Sequence, residues 1–167
     1  MDIRERRESD LALCLEMAWV IKARDGYPPV GPLDIENFLA PAEQLAAWVA
    51  EADSTIVGHI ALHAGSDYAT TRLAAEYLGR PQSDLGLIAR FFVDPGHRRS
   101  GVGRALLAQA TIASAERGLH SVLDVATELT PAIALYESLG WRRAGRVVLE
   151  VWDEPPVAMD VYVAPAR

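Results

Sequence analysis

The sequence predicts a single mixed α/β (α+β) domain spanning residues 1–167. Three observations lead there. Stretches with helical apolar spacing interleave with short, alternating or unbroken apolar runs, so helices and strands follow one another along the chain. A length of 167 residues fits one domain, for which ~100–200 residues is usual. Half of the residues are apolar and 23% are charged, the balance of a chain that buries a core rather than one that stays disordered.

The elements follow in order. Ser9-Asp10 reads as an N-cap before an apolar-periodic stretch from Leu11 to about Ala23, a first helix. Asp25-Gly26-Tyr27-Pro28-Pro29 stops it, and residues 34–40 suit a short second helix. Leu45–Ala52 and Thr55–Ala64 form a hairpin across Asp53-Ser54. Residues 65–84 are polar and Gly/Pro-containing around a helix at 71–78, the pattern of an insertion or lid. Leu85–Val93 is an apolar run interrupted only by Arg90 and closed by Asp94-Pro95-Gly96, which suits a central strand. Gly103–Arg117 is helical, with Val102, Leu106, Ala110 and Ala113 on one face and Gly118 at its end. Val122–Ala126 is a strand. Thr130 then caps a short helix over 131–139 that has Pro131 at its start and Gly140 at its stop. Arg143–Val151 and Val157–Val163 make a final hairpin across Asp153-Glu154-Pro155-Pro156.

Sixteen Lys+Arg against 23 Asp+Glu leave a net charge of −7. That argues against nucleic-acid or membrane-surface partners, which need a broad basic face. The first ten residues are charged throughout and lack an apolar core, so no signal peptide is expected. No apolar run approaches the ~18 residues of a membrane span. The single cysteine, Cys14, makes no intrachain disulfide and fits a reducing compartment, so the expected location is the cytoplasm.

The most informative segment is Phe91-Phe92-Val93-Asp94-Pro95-Gly96-His97-Arg98-Arg99-Ser100-Gly101-Val102-Gly103-Arg104. A strand stops, a basic stretch follows, and a Gly-x-Gly turn opens a helix. The first amides of a helix lack internal partners, the dipole adds partial positive charge, and glycine lets a phosphate come close to the backbone. Arg98, Arg99 and Arg104 concentrate positive charge there, so a diphosphate is the natural guest. A Rossmann fingerprint would need a glycine where Leu106 stands, and no Walker sequence is present. A plain helix start with a solvated arginine face stays open on spacing alone.

Arg98-x-x-Gly101-x-Gly103, after a strand ending Val93-Asp94-Pro95, resembles the acyl-CoA loop of the GCN5-related N-acetyltransferases (GNAT superfamily), Gln/Arg-x-x-Gly-x-Gly/Ala. Ala132-Ile133-Ala134-Leu135-Tyr136-Glu137-Ser138-Leu139-Gly140-Trp141 is similar to that family's second signature, a short helix bearing a tyrosine and ending in Gly-aromatic. Ile3-Arg4 and Glu8-Ser9-Asp10-Leu11 match its usual opening. The likeness covers residues 85–141 closely and 1–64 more loosely, and it skips 65–84.

The resemblance implies a mixed, mostly antiparallel twisted sheet of six to seven strands flanked by about four helices, with strands 4 and 5 splayed. It implies acetyl-CoA as co-substrate, entering that gap like an added strand. Backbone groups of Phe91 and Val93 would pair with the pantetheine. Amides of Arg98, Arg99, Ser100, Gly101, Val102, Gly103 and Arg104 would cradle the pyrophosphate. The reaction would be direct attack of an amine on the thioester, with Tyr136 protonating the leaving thiolate. A phenol of reference pKa about 10 is protonated at neutral pH. Tyr136 also reads as a packed core tyrosine.

Two positions depart from the family pattern: Leu129 stands where Asn is usual, and Leu87 where a strand Glu is usual. No obvious base remains on that strand, so the amine's proton would leave through water to Asp84, Glu128, His63 or Asp124, each of which also has a structural reading: Asp84 in a polar loop, His63 paired with His59 on a strand face, Asp124 facing solvent or anchoring a loop. His59 and His63 share one strand face and lack a third ligand, so no metal is expected. The acceptor, a small-molecule or peptide amine, would meet the first helix, the segment after it and the 65–84 insertion. Tyr27, Tyr68, Trp48 and Trp152 are candidates to line that site or to pack. Exposed terminal strands leave room for a homodimer. A non-catalytic acyl-CoA-binding module and a phosphate- or nucleotide-binding interaction protein are the competing readings.

Overall fold

The computed structural model describes residues 1–28, 33–66, 68–150 and 155–166. Among these residues seven strands form one sheet: β1 (Asp2–Glu5), β2 (Gln44–Ala52), β3 (Thr55–Ala64), β4 (Leu85–Val93), β5 (His120–Ala126), β6 (Arg142–Leu149) and β7 (Val157–Val163). Their spatial order is β1-β2-β3-β4-β5-β7-β6. Every adjacent pair is antiparallel except β4 and β5, which run parallel. Among the described residues four α-helices flank the sheet: α1 (Leu11–Asp25), α2 (Ala69–Leu78), α3 (Val102–Glu116) and α4 (Thr130–Ser138). The expected sheet and helix count are found.

Alternation along the strands separates two packed faces. Phe91, Leu123 and Val125 join the cluster built around Leu106 and Leu107 of α3 and Tyr136 of α4. Phe92 turns the other way onto Cys14, Ala18 and Ile21 of α1, and Val122 onto Ala74 of α2. α3 lies close because β3 has Gly58 beneath it: a Cβ there would meet Leu106 Cδ1 at 2.8 Å.

Several boundaries differ from the expectation for physical reasons. Asp10 does not cap α1 with its side chain. The carboxylate is taken instead by the Arg4 guanidinium at 2.7 and 3.1 Å and by the Arg7 amide at 2.7 Å, which tie the helix start to β1. α1 continues to Asp25, where Gly26 turns left-handed (φ +70°). Thr130 is the first helical residue of α4 rather than its cap. The 34–40 helix is a single π turn, Ile35–Leu39. The turn expected at 153–156 lies partly outside the described residues.

One feature of β4 was not legible. Arg90 and Phe91 together face the single residue Ile60, a bulge in which Arg90 takes φ +52°. Such a conformation costs a non-glycine residue about 1–3 kcal/mol, and the surroundings hold it. His59 Nδ1 donates to the Arg90 carbonyl (2.7 Å), Arg90 Nε donates to the Phe38 carbonyl (2.8 Å), and the guanidinium lies 4.6 Å from the Phe38 ring centre. No helix among the described residues is long and apolar enough to cross a membrane.

Candidate active site

β4 and β5 pair only at Leu85–Leu87 with His120–Val122. Beyond that point β4 runs on to Val93 and β5 to Ala126 without a bond between them, so the sheet parts from the middle outward. The bulge at Arg90 sits where the parting begins.

At the open end, the chain leaves β4 through Asp94, whose carboxylate accepts from the Gly96 amide and from His97 Nδ1, both at 2.9 Å. Arg99 (φ +61°) and Gly101 (φ +90°) turn left-handed, and α3 starts at Val102. Ala105 is the first residue to donate back, to Gly101. The amides of Val102, Gly103 and Arg104 therefore have no helical acceptor and point out of the helix start. Arg98, Arg99, Ser100, Gly101 and Arg104 are exposed there, while Val102 is buried against the core. A Cβ on Gly103 would meet Phe91 Cζ at 3.5 Å, Leu135 Cδ2 at 3.7 Å and Val93 Cγ2 at 3.8 Å. Its absence leaves a shallow cradle between β4, α3 and α4. Free amides, positive charge and a gap between strands fit a chain-like molecule ending in a diphosphate.

Tyr136 is 5% exposed and packs against Phe91, Trp141 and Tyr162 with ring centroids 6.0–6.4 Å away. It belongs to the core as well as to the cleft. Tyr162 spends its hydroxyl on Glu137 (2.9 Å), whereas the Tyr136 phenol bonds to no described residue. Burial pushes the Tyr136 phenol far above the ordinary tyrosine range, and the nearby Tyr27 and Asp124 add to the shift. Tyr27 is itself pushed up to about 12 by burial, and its neighbours are Arg90, Asp124 and the Phe91 backbone. Tyr27, Asp124 and Tyr136 thus meet where the strands part.

Asp124 stands out among the expected proton acceptors. Thr70 of α2 donates to its Oδ2 at 2.5 Å, and burial raises its pKa above the carboxylate norm, against the lowering pull of Thr70 and Arg90. Asp84 lies in an exposed turn and Glu128 in an exposed loop beyond β5. His63 is 2% exposed, its Nε2 has no partner among the described residues, and burial lowers it to about 4. His59 donates from Nδ1 to Arg90, so its Nε2 accepts from Arg6 Nη1 (2.9 Å), and burial holds it neutral at about 3. Among the described residues no group of three or more His, Cys, Asp or Glu side chains is placed to hold a metal ion.

A cavity of about 600 Å³ opens beside the parted strands, lined by the end of α1 (Lys22, Asp25), Tyr27 just after it, the residues after β5 (Glu128, Leu129) and Pro156 before β7. Of the aromatic candidates, Tyr27 lines it. Trp48 is 4% exposed in the α3-side core, since its strand position faces away from the cavity. Tyr68 is exposed and donates to Glu43, and Trp152 lies outside the described residues. The sequence reading missed Thr70, Asp25 and Arg90. A lone arginine within an apolar central strand was the one signal for the last of these.

The acetyltransferase (GNAT) family model matches residues 14–141. The chain is 32% identical to mycothiol acetyltransferase from Cellulomonas flavigena over 144 residues, 80% of this chain and 36% of that protein. It is 32% identical to human N-acetyltransferase 8 over 106 residues, 63% of this chain and 42% of that protein. The chain therefore spans less than half the length of either relative. An acetyltransferase from Salmonella typhimurium, solved with its cofactor acetyl-CoA, superposes with a TM-score of 0.75 at 18% identity, covering 98% of this chain and 92% of that one.

Proposed function

Because the chain belongs to the acetyltransferase (GNAT) family, we propose that it transfers the acetyl group of acetyl-CoA to the nitrogen of an amine acceptor. The observation that carries this reading is the parting of β4 from β5 beyond Leu87 and Val122, directly beside the free amides of Val102, Gly103 and Arg104. A closed sheet would leave no channel for the pantetheine, and a capped helix start would leave no donors for the diphosphate.

In this reading, backbone groups of Phe91 and Val93 pair with the pantetheine, and the loop from Arg98 to Arg104 holds the diphosphate. The acetyl thioester supplies the electrophile: the amine nitrogen bonds to the acetyl carbon, the carbon–sulfur bond breaks, and the sulfur leaves with a proton as coenzyme A. A strand amide released by the bulge stabilises the charge that develops on the carbonyl oxygen. Asp124 removes the proton of the amine, since a half-buried carboxylate with a raised pKa is a better base than an exposed one. Tyr136 keeps its proton at every working pH and offers it to the departing sulfur. Fixing both reactants in one cleft supplies the orientation.

The cavity beside Tyr27 receives the acceptor. The reading covers residues 1–167 as one domain. It includes the cytoplasmic location expected from the sequence, with Cys14 an inert, buried thiol raised to about 12 by burial.

Calorimetric titration with coenzyme A, followed by thiol release from acetyl-CoA against a panel of amines, tests the reading. Saturable binding and amine-dependent release are expected. No binding at millimolar concentration overturns it. Binding of ADP as tight as that of coenzyme A points instead to a plain phosphate site, and binding without release to any amine points to a non-catalytic module.

A further inference from the structure

Arg98, the first residue of the glycine loop, is not free to face a diphosphate. Its Nη2 lies 2.5 Å from Asp25 Oδ2 and its Nε 3.4 Å from the Val93 carbonyl. Asp25 is the last residue of α1, and its side chain is 23% exposed against 41% for Arg98. The same Asp25 lines the 600 Å³ cavity assigned to the acceptor. One carboxylate therefore belongs to both halves of the cleft.

The charges of that cavity depend on where Arg98 is. Among the described lining residues, Lys22, Asp25 and Glu128 carry charge. Lys22 Nζ donates to the Pro28 carbonyl at 3.1 Å. While Arg98 holds Asp25, the Asp25 carboxylate is paired on the glycine-loop side of the cavity. Once Arg98 turns to a diphosphate, the Asp25 carboxylate is released to the cavity that it lines. Among the described residues Arg24 also approaches Asp25, but only to 3.7 Å and with its side chain 62% exposed, too loose to replace Arg98.

We propose that Asp25 is a specificity-determining residue shared by the two substrates. It holds Arg98 while the loop is empty, and it faces the cavity when the diphosphate takes Arg98. There it selects an acceptor that carries a cationic group in addition to the reacting amine. The proposal rests on the acetyl-transfer reading above. Linkage makes the coupling reciprocal: whatever the diphosphate gains by freeing Asp25 for a cation, the cation returns to the diphosphate. The Asp25–Arg98 pair is partly exposed, so breaking it costs little and the coupling is modest.

The test uses the full chain and two probes, coenzyme A and spermidine, in calorimetric titrations. D25N removes the competitor for Arg98 and is expected to bind coenzyme A about two- to fivefold tighter. In the R98Q background the same substitution is expected to change coenzyme A affinity by less than about 1.5-fold, because the effect runs through Arg98. Spermidine is expected to bind wild-type protein at least about threefold tighter with saturating coenzyme A than without it, and D25N is expected to lose that difference. Asp25 ends a helix, where a carboxylate opposes the dipole, so D25N folds; thermal melts confirm it.

D25N that weakens coenzyme A or leaves it unchanged overturns the proposal. So does equal tightening in the R98Q background, which marks a general charge effect. Spermidine that fails to bind, or binds with no regard to coenzyme A, overturns it too. Wild-type protein that binds no coenzyme A overturns the acetyl-transfer reading itself, and the two failures are thereby told apart.

Discussion

Thr70 donates a hydrogen bond to Asp124 across the gap between α2 and β5, at 2.5 Å. The segment that the family resemblance skips thus holds the carboxylate best placed to act as a base. Burial raises Asp124, and Thr70 pulls it back down. Two outcomes follow for the rate of thiol release against pH. D124N lowers kcat by about 10²–10⁴-fold and leaves coenzyme A affinity unchanged. T70V removes the lowering bond, so the acidic limb of the profile, where activity rises as Asp124 deprotonates, moves to higher pH. A T70V profile that superposes on the wild type removes Asp124 from the base role.

The Tyr136 phenol makes no bond to a described residue, although its ring is packed on three sides by aromatics. Y136F therefore keeps the packing and loses only the hydroxyl. Its melting temperature is expected within a few degrees of wild type and its coenzyme A affinity within about twofold, while kcat falls by about 10²-fold or more. An unchanged kcat makes Tyr136 a core residue and nothing else.

Gly103 is the position where the size of an added side chain separates binding from folding. A Cβ there meets its neighbours at ordinary contact distances, 3.5–3.8 Å, and alanine suits a helix better than glycine by about 1 kcal/mol. G103A is expected to melt at or above the wild-type temperature and to keep coenzyme A affinity within about threefold, since the family pattern accepts alanine here, whereas G103L, whose side chain fills the cradle, is expected to bind coenzyme A at least about tenfold more weakly. Differential scanning fluorimetry and calorimetry on one sample read both halves.

The two buried histidines make stability sensitive to mild acid. Burial lowers His59 to about 3 and His63 to about 4, from 6.5. The unfolded chain takes up protons below about pH 6.5 that the folded chain refuses, so stability is complete above that value and is lost as pH falls toward the folded pKa values. Urea unfolding at pH 7 and pH 5 is expected to differ by about 2 kcal/mol for each buried imidazole. H63Q removes one titrating group and halves the difference. A pH-independent unfolding free energy over that window would sink the account.

The element order from α1 onward, the glycine loop and the Tyr136 helix were legible because each rests on local chemistry: apolar period, glycine and proline stops, and uncapped amides. Those same residues carry the family resemblance and, with it, the acetyl-CoA reading. Four things were not legible. The bulge that turns Arg90 left-handed needs the opposing strand, since it is a mismatch of register rather than a property of the Ile88–Phe92 run. The preference for Asp124 over Asp84, Glu128 and His63 needs burial and the distant Thr70 hydroxyl, 54 positions away in the chain. The assignment of Trp48 to the core and Tyr27 to the cavity depends on which face each presents. The Asp25–Arg98 pair joins residues 73 positions apart. By itself the sequence determined which segments fold and which turn offers amides to an anion, because those are decided within a few residues. Only the tertiary structure decided which side chains share the cleft, because desolvation and through-space charge depend on neighbours that the chain order does not list.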